Sequence, residues 1–107
     1  MEDSRIFWIK DQTELDEFSA RGRFILYFSS KGCNVCHSVF PKLIQLLKDH
    51  PIDIGRIDVD DSKKLAGQSL IFSIPTIIIF DEGREIHRES RFIDFLGLER
   101  LFSIMFQ

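Results

Sequence analysis

The sequence predicts an α/β protein: a central mixed sheet of four to five strands, with four helices layered over both faces. Three observations carry this reading. Strand-like and helix-like stretches alternate along the 107 residues, as strands joined by crossover helices require. Phe24-Ile25-Leu26-Tyr27-Phe28 is almost wholly apolar, the mark of a strand buried on both faces. Asp81-Glu82-Gly83 is a hairpin-type turn between two strand-like runs, so the sheet should close on an antiparallel pair.

The elements follow in order. Arg5 to Ile9 reads as a short first strand. Asp11 with Glu14, or Thr13 with Asp16, offers a helix start. Leu15 and Phe18 give that helix an apolar side, and Gly22 ends it. After the Phe24–Phe28 strand comes a small polar loop, Ser29 to Gly32. The next helix spans Val35 to Asp49, with Val35, Val39, Leu43 and Leu47 on one stripe and Cys36, Phe40 and Ile44 on the next. Pro41 lies inside it and should remove one hydrogen bond and kink the helix.

Ile52 to Asp60 alternates apolar and polar residues as a strand does. Asp58, Asp60 and Asp61 close it as strand-end and capping groups. Lys63 to Gln68 suits a short helix capped by Asp61 or Ser62. Thr76 to Phe80 and Arg84 to Ser90 are the hairpin strands. Asp94 caps the last helix, with Ile93 and Leu98 spaced as a hydrophobic staple. Its apolar residues form two stripes, Phe95, Phe102 and Phe106 beside Leu98, Leu101 and Met105. Core packing accounts for most of that width; a dimer or partner surface is the competing use.

The bulk numbers narrow the function classes. One domain, residues 1–107, is expected at this length. The net charge of −3 argues against nucleic acid, which wants a basic face. No run approaches the roughly 18 apolar residues of a membrane helix. Met1 to Lys10 mixes Glu2, Asp3, Arg5 and Trp8 and does not read as an export signal. A reducing, cytoplasmic setting follows. There, a lone Cys-x-x-Cys points to catalysis or metal binding rather than a structural staple.

Cys33-Asn34-Val35-Cys36 holds both cysteines of the chain where the strand hands over to the helix. Two sulfurs at i and i+3 on a first helical turn can form, break and exchange a disulfide. A thiol at a helix N-terminus faces unpaired N–H groups and the positive dipole end, which stabilise its thiolate. Cys36, one turn further in, should be more buried and keep its proton longer.

With these residues in place, the chain resembles the thioredoxin family over nearly its whole length. The resemblance rests on the Phe24–Phe28 strand, on Cys33-Asn34-Val35-Cys36 opening a helix and on Pro41 within that helix. It rests also on Arg56-Ile57-Asp58-Val59-Asp60, and on Ile74-Pro75-Thr76 before a hydrophobic strand. It implies a thioredoxin fold and a thiol–disulfide oxidoreductase that reduces protein disulfides without a cofactor. Cys33 would be the attacking thiol and Cys36 the resolving one. The bond before Pro75 would be cis. The Ile74 backbone beside it would pair with an extended substrate segment. A thioredoxin reductase is the electron donor the family suggests, and the state a monomer or weak dimer.

Five residues depart from the family pattern. Gly32 stands where a tryptophan usually precedes the first cysteine. Asn34-Val35 replaces the usual inner dipeptide, which helps to set the reduction potential. Tyr27 stands where a buried acid helps to move the proton of the second cysteine, and tyrosine is a poor base near neutral pH. Arg91, with Phe92 beyond it, replaces a glycine in a loop that touches substrates. A slower resolving step and a shifted partner choice are the expectations.

Other readings of the same residues compete. The cysteines could be buried hydrophobes, or half of a zinc site completed by His37 and His50 or His87, although no spacing among these is characteristic. Cys33 to His37 also matches the haem-attachment pattern. That chemistry normally follows export, and nothing around Met105 argues for an axial ligand. His37 and Lys31 are candidates to favour the Cys33 thiolate. Arg56 reads as solvated or paired with one of the nearby aspartates, with a role near the active site as the lesser alternative. A second function class stands beside the enzyme: a thioredoxin-like binding or redox-sensing module with little turnover.

Overall fold

The computed structural model describes residues 4–107. Met1, Glu2 and Asp3, where the segment read as lacking an export signal begins, lie outside the described residues. Among the described residues, five strands and four α-helices run in the order β1 (Ile6–Trp8), α1 (Gln12–Ser19), β2 (Phe24–Ser29), α2 (Asn34–Leu46), β3 (Asp53–Asp58), α3 (Lys63–Gln68), β4 (Thr76–Asp81), β5 (Arg84–Ser90) and α4 (Phe95–Met105). The strands lie in the order β1-β3-β2-β4-β5. β3 pairs in parallel with β1 and β2, while β2–β4 and β4–β5 are antiparallel.

β2 is central and buried along its whole length. Its alternation divides the core. Ile25 and Tyr27 pack with Val39 and Leu43 of α2 and with Leu98 and Phe102 of α4. Phe24, Leu26 and Phe28 pack on the opposite face with Phe18 of α1 and Leu65 of α3. One sheet between two helical layers results. Gly55 of β3 is the tightest point of the second layer. A Cβ there would collide with the Ile9 side chain and reach within 3.0 Å of Phe18.

Local chemistry sets the boundaries. At α1, Asp11 accepts from the Glu14 N–H and Glu14 reaches back to the Lys10 N–H, a reciprocal cap that leaves the Thr13 and Asp16 alternative unused. At α4, Asp94 accepts from the Gly97 N–H. The hairpin turn uses positive φ at Glu82 and Gly83, the handedness that matches strand twist.

Three boundary expectations are corrected. β3 stops at Asp58 rather than Asp60, because the Asp58 carboxylate takes the N–H groups of Asp60 and Asp61 and turns the chain. Ser62 precedes α3, but its hydroxyl donates to the Lys10 carbonyl instead of capping that helix. α2 begins at Asn34 and ends at Leu46, with Leu47–Asp49 tightened into a 3₁₀ turn. Val35 is exposed, not part of the buried stripe. Residues four apart drift by about 40° around a helix, so Val35 and Leu47 cannot share one face.

Candidate active site

α2 supplies the reactive pair. Cys33 is the N-cap of this helix, and its sulfur accepts from the Cys36 N–H at 3.1 Å. The two residues form a disulfide. Cys33 is partly exposed, whereas Cys36 is 1% exposed. An incoming sulfur therefore has a path to Cys33 and none to Cys36. The helix N-terminus adds its positive dipole end at the accessible sulfur.

β4 brings a second element to the same end of the sheet. Thr76 lies opposite Phe28 in the β2–β4 register, so Pro75 sits beside the turn that carries Cys33. The Ile74–Pro75 peptide bond is cis. The Thr76 hydroxyl bonds the Ser73 carbonyl and the Ser90 hydroxyl and ties this turn to β5. The Arg91 N–H donates to the Pro75 carbonyl at 2.8 Å. Arg91 keeps a left-handed backbone, φ 67°, at the position where the resemblance led us to expect glycine.

The remaining sequence-derived positions fall into two groups. Gly32 and Asn34 are exposed beside Cys33, and a Cβ on Gly32 would meet nothing within 4 Å. Tyr27, 0% exposed, lies beneath the pair and donates to the Cys36 carbonyl at 2.6 Å. Burial pushes its hydroxyl up to about 12, against a smaller downward pull from Arg56. It is a fixed donor, not a base. Pro41 lies within α2, where its missing N–H removes the bond to the His37 carbonyl. The His37 ring Nε2 is 2.7 Å from the Lys31 carbonyl. Lys31 is exposed, 3.9 Å from Asp61.

Arg56 overturns its expectation. It pairs with no aspartate among the described residues. Its guanidinium carbon lies 3.9 Å from the Phe40 ring centroid and 4.4 Å from that of Trp8. Burial lowers its pKa below the usual value, with Tyr27 acting the other way. The strand alternation that buries Ile54 and puts Arg56 on the same face was the signal available in the sequence. Phe72 also escaped the sequence reading. It lies three residues before Pro75 and is 90% exposed, and Phe92, one residue after Arg91, is 86% exposed.

No group of three or more metal-ligating side chains gathers among the described residues. His50 stacks on Phe106 and His87 pairs with Glu89. No helix among the described residues is long and apolar enough to cross a membrane.

A partly exposed sulfur on a helix N-terminus, disulfide-bonded to a buried one and set beside the Pro75 turn, defines a dithiol–disulfide exchange protein. The thioredoxin family model matches residues 9–100, and the chain belongs to that family. It is 38% identical over 88 residues to the thioredoxin-like protein YdfQ of Bacillus subtilis, a match covering 80% of this chain and 79% of the relative. It is 35% identical over 74 residues to a thioredoxin of Chlamydia pneumoniae, covering 68% and 72% of the two chains. Thioredoxin O2 of Arabidopsis thaliana in its oxidised state superposes with a TM-score of 0.83 at 17% identity, covering 97% of this chain and 96% of that one. A mutant thioredoxin from Halobacterium salinarum gives 0.82 at 23% identity, covering 97% and 94%. The last two establish the fold. Family membership and a closed Cys33–Cys36 disulfide make the chain a thiol–disulfide oxidoreductase and disfavour the binding-module alternative.

Proposed function

We propose that this oxidoreductase reduces disulfides in other proteins, with Cys33 as the attacking sulfur and Cys36 as the resolving one. The observation that carries this reading is the asymmetry of the pair, one sulfur accessible and one buried. The Cys33 thiolate attacks one sulfur of a substrate disulfide, and the other substrate sulfur leaves as a thiolate. Cys36, deprotonated, then attacks Cys33 and expels the first substrate sulfur. Two electrons pass from the dithiol to the substrate, and the Cys33–Cys36 disulfide remains.

Substrate alignment falls to the turn before β4. Ile74 makes no main-chain hydrogen bond within the described residues, which leaves its peptide groups open to an extended segment. Phe72 and Phe92 offer apolar contact that Gly32 does not supply, and Asn34 and Arg91 complete the rim. This rim favours substrates with bulky apolar residues near their disulfide. A reducing cytoplasm, a monomer or weak dimer, and a thioredoxin reductase as electron donor complete the proposal.

Insulin reduction by dithiothreitol tests it. Wild type should accelerate precipitation of the reduced chains, and Cys33→Ser should not. A wild-type rate no greater than that of the variant would refute reductase activity.

A further inference from the structure

β5 is an edge strand of the sheet, and two neighbouring residues on it hold the loops that flank the Pro75 turn. In the β4–β5 register Ile78 faces Arg88 and Ile77 faces Glu89. Ile78 belongs to the core layer of α1 and α3, and Ile77 to that of α2 and α4. Arg88 therefore rises on the α3 side of the sheet and Glu89 on the α4 side. The loop after α3 carries Phe72, and the loop before α4 carries Phe92. Their rings are 90% and 86% exposed, more than any other large apolar side chain among the described residues.

A bulge makes the Arg88 side possible. Strand residues three apart ordinarily point to opposite faces. Here Ile79 faces His87 and Phe80 faces Glu85, so Ile86 is an extra residue in β5. Glu85 and Arg88 then share one face. The Arg88 Nε and Nη2 donate to the two Glu85 carboxylate oxygens at 2.9 and 2.7 Å. This hydrogen-bonded guanidinium holds the Glu85 carboxyl below its ordinary range. The third nitrogen of the oriented fork, Nη1, donates to the Leu70 carbonyl at 3.0 Å. Leu70 has a left-handed backbone, φ 59°, which a non-glycine residue keeps only where its surroundings hold it. Further along, the Ser73 carbonyl accepts from the Thr76 hydroxyl. Phe72 thus projects between two anchored carbonyls.

Glu89 builds the other side. One of its carboxylate oxygens lies 2.7 Å from the His87 Nε2, and the other accepts from the Asp94 N–H at 2.6 Å. The Arg91 N–H donates to the Pro75 carbonyl. Phe92 therefore also projects between two fixed points.

We propose that Arg88 and Glu89 are positioning residues that hold Phe72 and Phe92 as two apolar anchors, one on each side of the Pro75 turn, and so select disulfides carried on proteins over small free disulfides. A substrate segment with bulky apolar residues on both sides of its cysteine covers both rings. A small disulfide reaches Cys33 without covering either. Loops fixed beforehand spare the complex the ordering cost that mobile loops would meet on binding.

The inference rests on the reductase reading and deepens it by naming the substrate class. Its test follows a single attack, not turnover. Every reduced protein in it carries Cys36→Ser, so the reaction stops at a mixed disulfide. The Cys33 thiolate bonds one sulfur of the target, and the other target sulfur leaves as a thiolate. Intact mass against time gives the rate of attack on insulin and on hydroxyethyl disulfide, a small neutral target. Phe72→Ala and Phe92→Ala should each slow attack on insulin by about fivefold, as loss of a moderate interface anchor does. Arg88→Met and Glu89→Ala should each slow it by about twofold to fivefold, as the loop loses its prior ordering. For these two variants the loss should be confined to insulin, with hydroxyethyl disulfide attacked as by the parent protein. Arg88→Met should add no further loss once Phe72→Ala is present, nor Glu89→Ala once Phe92→Ala is present. Thermal unfolding identifies the folded variants, and Arg88→Gln takes the place of Arg88→Met should that protein fail to fold. Unchanged insulin rates, equal losses on the two targets, or a full Arg88→Met loss in the Phe72→Ala background would overturn the proposal. Attack on neither target by the parent protein would instead overturn the reductase reading, and this inference with it.

Discussion

The Tyr27 hydroxyl donates a 2.6 Å hydrogen bond to the carbonyl oxygen of Cys36. A neutral phenol is thus anchored beneath Cys36, at the position where the family pattern has an acid. It ties the first turn of α2 to the central strand and offers Cys36 no proton acceptor. The proton of Cys36 must leave by another route, such as water, before this sulfur can attack Cys33.

Tyr27→Asp should speed that step. The carboxylate would sit on β2 next to Arg56, within reach of the second cysteine. Stopped-flow decay of a mixed disulfide on Cys33 should be faster in the variant at neutral pH, by roughly the hundredfold at the lower end of acid–base catalysis. An unchanged rate would mean that Tyr27 does not limit the resolving step.

Alkaline stability should also report on Tyr27. Its pKa is raised above the unfolded value of 10.0 to about 12, so the folded state holds this proton more tightly than the unfolded state. That contribution is fully present below pH 10 and is lost as pH rises toward about 12. Oxidised wild type should lose urea stability across this window more steeply than Tyr27→Phe. Near neutral pH the Phe variant should be less stable by about 1 kcal/mol for the lost hydrogen bond. Parallel pH profiles for the two proteins would contradict the assignment.

Gly32 leaves open space beside Cys33. Gly32→Trp should fill it with apolar contact surface and lower KM for a protein disulfide by roughly fivefold to tenfold, about 1–1.4 kcal/mol and less than the roughly 1.5–3 kcal/mol of a fully buried side chain. kcat should change less. A steady-state KM equal to or above that of wild type would show that this space is not part of the substrate surface.

Arg91 holds φ 67°, a left-handed conformation that costs an L-residue about 1–2 kcal/mol. Glycine meets no such penalty but loses more chain entropy on folding. Arg91→Gly should therefore raise unfolding free energy by about 0.5–1 kcal/mol, read as a higher urea midpoint at constant slope. A lower midpoint would mean that the Arg91 side chain contributes more than its backbone conformation costs.

The fold was legible because its signals are local. The apolar run of β2, the Asp11–Glu14 cap, the Asp94 cap and the Glu82-Gly83 turn each act within a few residues. The cysteine pair was legible for the same reason, since motif and helix start coincide. What escaped was non-local. The cage around Arg56 draws on β1, β2, β3 and α2, and no short window contains it. The bond from Tyr27 to Cys36 spans a strand, a turn and a helix start. Val35 was misplaced by a spacing rule that ignores rotational drift along a helix. Phe72 was passed over because an exposed phenylalanine in a loop has no periodicity to betray it.

The central claim is that Cys33 attacks and Cys36 resolves. Its most direct test is intact-mass analysis after mixing a reduced single-cysteine variant with a disulfide-bonded protein. The account predicts that Cys36→Ser accumulates a covalent adduct through Cys33, while Cys33→Ser, whose remaining sulfur is 1% exposed, does not. An adduct formed equally or preferentially through Cys36, or none in either variant, would contradict it.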